Sequence, residues 1–260
     1  MFYLEITIGM FGFGKTGAIV AKEVLKDEQC VLKWIIRKTD TKEGEYASHL
    51  FGFEHDEGRI YSSDKIDHKT FYKENPVDVI IDFSSVNALQ NHKYLAEEGI
   101  KIVSAISKYE PEHLEKLKKL GEKTAVLYSP NITLGINFLI EASKVLKKII
   151  PNADIEIVEE HFRGKKETSG TAIRIAEYLE LDKEKQVNSI RVGGIVGKHE
   201  VIFGLPNQTI RIVHESISRD AFGQGAIYAA KWIIDKNRGI FSMEEALALN
   251  FAKKPEKSLK

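Results

Sequence analysis

The chain has 260 residues, 43% hydrophobic and 29% charged, and its 38 basic and 38 acidic side chains cancel to zero net charge. That balance supplies no whole-molecule field to draw it to nucleic acid or to an anionic membrane, and no apolar run approaches the ~20 residues that span a bilayer. Cys30 is the only cysteine, which excludes an intrachain disulfide and a thiolate zinc cluster, so a cytoplasmic two-domain enzyme without a signal peptide or metal is expected.

Leu4–Ile8 reads as an apolar strand, followed by a glycine cluster at Gly9, Gly12, Gly14 and Gly17. An amphipathic helix is expected over Thr16–Leu25 and a strand over Val31–Ile36, ending at Arg37-Lys38. Lys38–Arg59 shows no assignable period. Val77–Phe83 reads as a buried strand, then a helix at Ala88–Glu98 and a strand at Lys101–Ala105. A helix at Pro111–Leu120 and a strand at Ala125–Tyr128 follow. Strands alternating with helices predict a parallel sheet covered on both faces.

The pattern changes after Ser129. A helix at Ile136–Ile150 ends before Pro151. Asp154–Glu159 reads as a strand, and a polar loop then leads to a helix opening at Thr168-Ser169-Gly170-Thr171. Val187–Val196, His199–Phe203 and Gln208–Ser216 are consecutive strands without intervening helices. They predict a mixed or mostly antiparallel sheet. Helices are expected at Gln224–Lys236 and Ser242–Asn250, and a basic tail at Lys253–Lys260. The fold expected is α/β: a Rossmann dinucleotide-binding domain over residues 1–129 with 240–260, and a mixed-sheet α+β domain for substrate and oligomerisation over 130–239.

Two stretches carry chemistry. Gly12-Phe13-Gly14-Lys15-Thr16-Gly17 fits G-x-G-x-x-G between a strand and a helix, the dinucleotide fingerprint. Gly9 through Gly14-Lys15-Thr16 also fits a P-loop, with Asp82 as a metal-binding acid. A tight turn is the bland third reading. Where a dinucleotide fold often has an acid for the ribose 2′-hydroxyl, this chain has Arg37-Lys38. Under the dinucleotide reading that pair accepts a 2′-phosphate, favouring NADPH with NADH as the second option. The other stretch, Asp154–Leu179, places His161, Arg163, Lys165 and Lys166 beside a helix start. Free N–H groups and the helix dipole make such a start an anion site, and a histidine beside lysines makes it a candidate active site.

Glu160-His161-Phe162-Arg163-Gly164-Lys165, followed by Ser169-Gly170-Thr171-Ala172, resembles the E-x-H-H-x-x-K-x-D-A-P-S-G-T-A signature of the 4-hydroxy-tetrahydrodipicolinate (dihydrodipicolinate) reductase family. Ser129-Pro130-Asn131-Ile132 through Gly135 and Asn137, Val192–His199, and His214–Ala226 resemble three further blocks of that family in the same order. The resemblance implies NAD(P)H-dependent reduction of a cyclic imine dicarboxylate in lysine and diaminopimelate biosynthesis. It makes His161 and Lys165 the catalytic pair. It puts Phe162, Ser169, Gly170 and Thr171 at the substrate, with Arg163 or Lys166 as candidates for a second carboxylate. Beside the glycine loop it adds Ala105-Ile106-Ser107 (with Lys108), Ser129–Ile132 and Arg219 to the cofactor site. It also implies a homotetramer joined through the second domains. His199 and His214 read as hydrogen-bonded sheet residues rather than metal ligands. The chain departs from the family at Phe162, which stands for a second histidine. It has one residue fewer before Ser169, and Ala105–Lys108 replaces a G-T-T-G loop. A reductase of a related imine, an amino-acid dehydrogenase, a non-catalytic NADPH-binding protein and a P-loop nucleotidase are the alternatives.

Overall fold

The computed structural model describes residues 5–107 and 109–252, with the backbone alone for 249–252. Leu4, Lys108 and the basic tail Lys253–Lys260 lie outside the described residues. Among these described residues no helix is long and apolar enough to cross a membrane.

The first half alternates as expected: β1 (Ile6–Phe11), α1 (Lys15–Val24), β2 (Cys30–Arg37), α2 (Ala47–Leu50), β3 (Arg59–Ser62), α3 (His68–Glu74) and β4 (Val79–Asp82). A 3₁₀ turn (Val86–Gln90), α4 (His92–Glu97), β5 (Lys101–Ser104), α5 (Pro111–Gly121) and β6 (Ala125–Tyr128) follow. The second half contains α6 (Leu134–Ile149), β7 (Asp154–His161), α7 (Gly170–Tyr178), β8 (Val187–Arg191), β9 (Lys198–Leu205) and β10 (Gln208–Glu215). The chain ends with α8 (Asp220–Ile233), β11 (Gly239–Phe241) and α9 (Met243–Ala252). It forms two compact units. One comprises the chain up to Ile132 with Arg219–Ala246, and the other Thr133–Ser218 with the end of α9 from Leu247.

The first unit is built on a parallel seven-stranded sheet, ordered β11-β6-β5-β4-β1-β2-β3. Near-continuous apolar strands such as Val79-Ile80-Ile81 fit a sheet covered on both faces. The chain runs outward from β1 to β3, then restarts at β4 on the other side of β1. Ligands bind at such a switch point, outside the carboxyl ends of the strands. Register makes those ends flush: Phe11 lies opposite Asp82, Asp82 opposite Ser104, and Ser104 opposite Tyr128. The segments after these residues therefore emerge along one edge.

Helix α8, expected in the second domain, belongs to this first unit, together with β11, most of which was expected there. β11 pairs in parallel with β6. Helix α8 approaches α1 closely: a Cβ on Gly223 would meet Glu23 Cβ at 2.5 Å. Lys231 ties it to the turn after α1, donating to Asp27 at 2.8 and 2.9 Å and to Gln29 at 2.7 Å. Beside that turn Cys30 is buried at the start of β2. Burial and the neighbouring Asp27 carboxylate push its thiol up to about 12.

The second unit has a mixed four-stranded sheet, ordered β10-β9-β7-β8. β7 and β8 run parallel and the other pairs antiparallel. Ile155 and Ile157 of β7 and Val201 and Phe203 of β9 pack with α6 (Ile136, Leu139, Ile140) and α7 (Ala172, Ile175, Ala176). Because side chains alternate across a strand, Glu159 and His161 continue the inward set of β7. The strand runs two residues beyond the expected Glu159, which brings His161 out of the loop and onto the sheet.

Candidate active site

The glycine loop sits at the switch point. Gly12 has φ +91°, and a Cβ there would approach the Phe83 carbonyl oxygen at 2.7 Å. A Cβ on Gly17 would overlap the Gly12 carbonyl oxygen. Both positions thus require the missing side chain: one for its backbone angle, one for the approach of α1 to the loop. Gly14 caps α1 with no side-chain hydrogen bond, has open space at its Cβ, and is followed by no acid in the first turn. The first N–H groups of a helix lack intrahelical partners, so this end offers donors and positive potential to a phosphate.

A cavity of about 530 Å³ opens in front of it, a volume suited to a small ligand. Gly12, Phe13 and Gly14 line one wall, and Arg37, Lys38 and Thr39 from the end of β2 line another. Ser63 and Asp64 after β3, Phe83, Ser84 and Ser85 after β4, and Asn87 and Asn91 at the 3₁₀ turn also line it. The Arg37 guanidinium donates to the Thr41 carbonyl at 2.7 Å, which fixes it at the strand end. Lys15, Thr16 and Gly17 begin α1 just behind this wall. Ala105, Ile106 and Ser107 follow β5, and Ser129 to Ile132 follow β6, along the same edge. Ala105 is anchored by its N–H to the Asp82 carbonyl at 2.9 Å, and Ile106 is buried. Ser129 is buried: its N–H donates to Ser104 O at 3.0 Å, and its hydroxyl closes a turn on Asn131 O at 2.7 Å. Ser129 and buried Ile132 therefore shape the edge, while Pro130 and Asn131 stand partly open. Arg219 is exposed at the N-cap of α8 in the same unit and is not among the residues lining the cavity.

The P-loop alternative needs Asp82 free for a metal. It is fully buried and accepts from the Ser84 N–H at 2.8 Å and the Ser84 hydroxyl at 2.6 Å. Its other oxygen lies 2.9 Å from His92 Nε2. A carboxylate that is fully buried, anchors the β4 turn and does not line the cavity is not placed to hold magnesium there.

The second cluster lies on the inner face of the four-stranded sheet. Its centre is Glu159, 0% exposed. Oε1 accepts from Arg191 Nη2 at 2.6 Å, Ser189 Oγ at 2.6 Å and the Ser169 N–H at 3.1 Å. Oε2 accepts from Arg191 Nη1 at 2.9 Å and pairs with His161 Nδ1 at 2.5 Å. Burial alone would raise this carboxyl. The donors from Arg191, Ser189, His161 and Ser169 outweigh it and hold the group down at about 2. An ionised carboxylate only accepts, so His161 carries its proton on Nδ1. Its Nε2 then faces Gly197, where a Cβ would come within 3.0 Å of it. The His161 ring also meets His199 edge to face at 5.3 Å.

His199 is buried, with Nε2 at 2.9 Å from Ser169 Oγ. Burial, then nearby His161 and His214, drive it down to about 3, so it is a neutral imidazole. Register sets Ser189, Glu159, His199 and His214 opposite one another across the sheet. A polar row thus ends the apolar core. His214 backs onto α6, where a Cβ on Gly135 would overlap its ring.

His161 ends β7, and Lys165 follows in the loop, where its N–H closes a turn on the Phe162 carbonyl at 3.1 Å. Lys165 is half-buried; Phe162, Arg163, Gly164 and Lys166 are exposed, Phe162 at 46%. Ser169 differs from the expectation. Its N–H is held by Glu159 and its hydroxyl by His199, so it braces the site from within instead of presenting a free donor to substrate. Gly170, the first residue of α7, is exposed, and Thr171 is partly so. Two residues escaped the sequence reading, Glu159 and Arg191. Strand charges read as solvent-facing by default. The two-residue step from Glu159 to His161, continuing Ile155 and Ile157, was the available signal.

The family described as "Dihydrodipicolinate reductase, N-terminus" matches residues 6–132, and "Dihydrodipicolinate reductase, C-terminus" matches 134–247. The chain is similar to 4-hydroxy-tetrahydrodipicolinate reductase of Caldanaerobacter subterraneus subsp. tengcongensis, 36% identical over 190 residues, covering 65% of this chain and 76% of that protein. It is 35% identical over 184 residues to the protein of that name from Thermosipho africanus, covering 70% and 84%. Among solved structures it resembles a dipicolinate-bound dihydrodipicolinate reductase from Paenisporosarcina sp. TG-14. The TM-score is 0.75 at 19% identity, over 92% of this chain and 97% of that one. An amine dehydrogenase from Mycobacterium smegmatis, at TM-score 0.63 and 12% identity, shares the fold over 92% and 95%.

Proposed function

Because the chain belongs to the dihydrodipicolinate reductase family, we propose that it reduces 4-hydroxy-tetrahydrodipicolinate to tetrahydrodipicolinate in lysine and diaminopimelate biosynthesis. The observation that carries this is the loop between β7 and α7. It sets an Nδ1-protonated His161 and Lys165 beside the first turn of α7, in a family whose relatives bear that activity by name.

Replacing the 4-hydroxyl by hydrogen takes one hydride and one proton and releases one water. A nicotinamide cofactor supplies the hydride, and the glycine cradle at Gly12 and Gly17 with the uncapped start of α1 fits its pyrophosphate. This chain's residues do the rest. The Lys165 ammonium stabilises negative charge developing on the ring and can release a proton to it. His161 Nε2 accepts or passes a proton while Nδ1 stays on Glu159. Gly170 and Thr171 stand in the first turn of α7, a helix start that suits a substrate carboxylate. Phe162 presents an apolar face where the family pattern has a histidine.

Arg37 and Lys38 support a preference for NADPH, since both line the cavity and can pair with a 2′-phosphate. Asp64, which follows the neighbouring strand β3 and lines the same cavity, can accept from a ribose 2′-hydroxyl, so NADH serves as the second donor. Assembly as a homotetramer through the second units is part of the same reading. Its support is the sheet's outer surface, where Ile190 and Val213 stand exposed.

The test is oxidation of NADPH, then of NADH, with enzymatically generated substrate. Turnover with both and a lower KM for NADPH are expected. Lys165→Ala should cut kcat by about 100-fold or more while NADPH still binds. No consumption of either cofactor would overturn the reductase reading.

A further inference from the structure

The loop bearing Lys165 and the strand bearing His161 are gripped by one side chain. Arg191 ends β8 directly opposite His161 on β7. Its guanidinium donates through Nη1 and Nη2 to the two oxygens of Glu159, at 2.9 and 2.6 Å. Nε donates to the Lys165 carbonyl at 3.0 Å, and Nη2 also to the Glu167 carbonyl at 2.9 Å. Nη1 closes back on the Ile190 carbonyl at 2.9 Å. One planar fork therefore holds the backbone of the loop at Lys165 and Glu167, and holds the carboxylate that orients His161. A lysine cannot copy this, because a single ammonium has no fixed fork.

We propose that Glu159 and Arg191 are a positioning pair for the reaction assigned above, on which this inference rests. Glu159 fixes His161 as the Nδ1–H tautomer with Nε2 turned toward Gly197. Arg191 locks that carboxylate and sets the height of the Lys165 loop, so both reacting side chains are registered to the same guanidinium. Glu159 is fully buried and Arg191 partly so, at 19% side-chain exposure, and the pair reaches the substrate only through His161 and Lys165. It also gives a reason for the shortened connection before Ser169. The carbonyls of Lys165 and Glu167 find their donors on Arg191 instead of within a longer loop.

The test uses the full chain. In the wild-type protein, ¹⁵N-labelled histidine should show His161 protonated on Nδ1, with that proton far downfield in the ¹H spectrum. A His161 protonated on Nε2 overturns the assignment whatever the activity. Glu159→Gln and Arg191→Lys are then compared at equal folded concentration. Both should lose kcat by about 100-fold, the scale of a reacting group misplaced by an ångström. The KM for NADPH should stay within about twofold, since its proposed contacts lie in the other unit. The downfield signal should vanish in Glu159→Gln. A folded Glu159→Gln with kcat within about threefold of wild type would reduce the pair to a structural role and overturn the proposal. If Glu159→Gln does not fold, Arg191→Lys and the wild-type tautomer still decide. Wild-type protein without turnover would sink the reductase reading, while the tautomer measurement would continue to test the geometry.

Discussion

His161 is held by a ring nitrogen and Lys165 by its backbone, so the two respond differently to substitution. The Nε2 edge of His161 is open because position 197 has no side chain. Gly197→Ala would place a methyl about 3.0 Å from that nitrogen. Gly197 is not in the left-handed region, so the fold should tolerate the change. Catalysis should suffer, with kcat down about tenfold or more and the melting temperature nearly unchanged. Steady-state kinetics beside a thermal melt would show whether the two separate. On the cofactor side the informative residue is Arg37. Arg37→Glu sets a carboxylate against a 2′-phosphate. The KM for NADPH should rise by about tenfold or more, with that for NADH barely affected. Equal changes in both would mean that Arg37 does not face the 2′ position.

Helix α1 owes its placement to Gly17 on the glycine loop. Gly17→Ala should cost about 2 kcal/mol, because the new methyl meets a backbone carbonyl that cannot swing aside. Denaturant melts would measure it, and cofactor binding should weaken in parallel. At this scale much was legible in the sequence. The strand–helix alternation from β1 to β6 follows from apolar runs between turns. The strand–loop–helix around His161 follows from one alternating strand and one helix start. What escaped has physical reasons. β3 and α2 are four residues each, too short for a period to show. The helix expected over Ala88–Glu98 breaks at Asn91 into a 3₁₀ turn and α4. Helix α8 packs through Gly223, Ala226, Ala229 and Ala230, and small residues announce close approach without naming the partner. Glu159 and Arg191 were hidden because the partner that makes a buried charge tolerable comes from a strand about 30 residues away.

Across the whole molecule, the buried ionisable row ties folding to pH. His199 is neutral in the folded chain down to about 3, against an ordinary value of 6.5. As pH falls below 6.5 the unfolded chain takes up that proton first, so stability drops until pH reaches about 3. Glu159 works in the same direction over a lower window. Its contribution is complete above the ordinary 4.5 and is lost as pH falls toward about 2. It amounts to on the order of 3 kcal/mol. Unfolding free energy measured from pH 7 to pH 3 should therefore begin to fall near pH 6.5. The slope from His199 should approach about 1.4 kcal/mol per pH unit between pH 6 and pH 4.5. His199→Gln should flatten that upper segment, and Glu159→Gln the lower one. A flat profile between pH 6.5 and 4.5 in the wild type would refute the neutral assignment of His199. Size-exclusion chromatography with light scattering tests the tetramer proposed for the second units.

The lone thiol at the head of β2 adds a practical handle. Thiolate is the species that attacks a disulfide reagent, and Cys30 is both buried and held in its protonated form. An aromatic disulfide at neutral pH should leave the native chain untouched for as long as β2 stays paired to β1. Labelling then proceeds only through opening of the first unit's sheet, one event per chain, with no second cysteine to confuse the count. The rate of colour release becomes a clock for that opening. Saturating the glycine-loop site with NADPH should slow the clock, while ligands of the His161 site should slow it only if the two units open together.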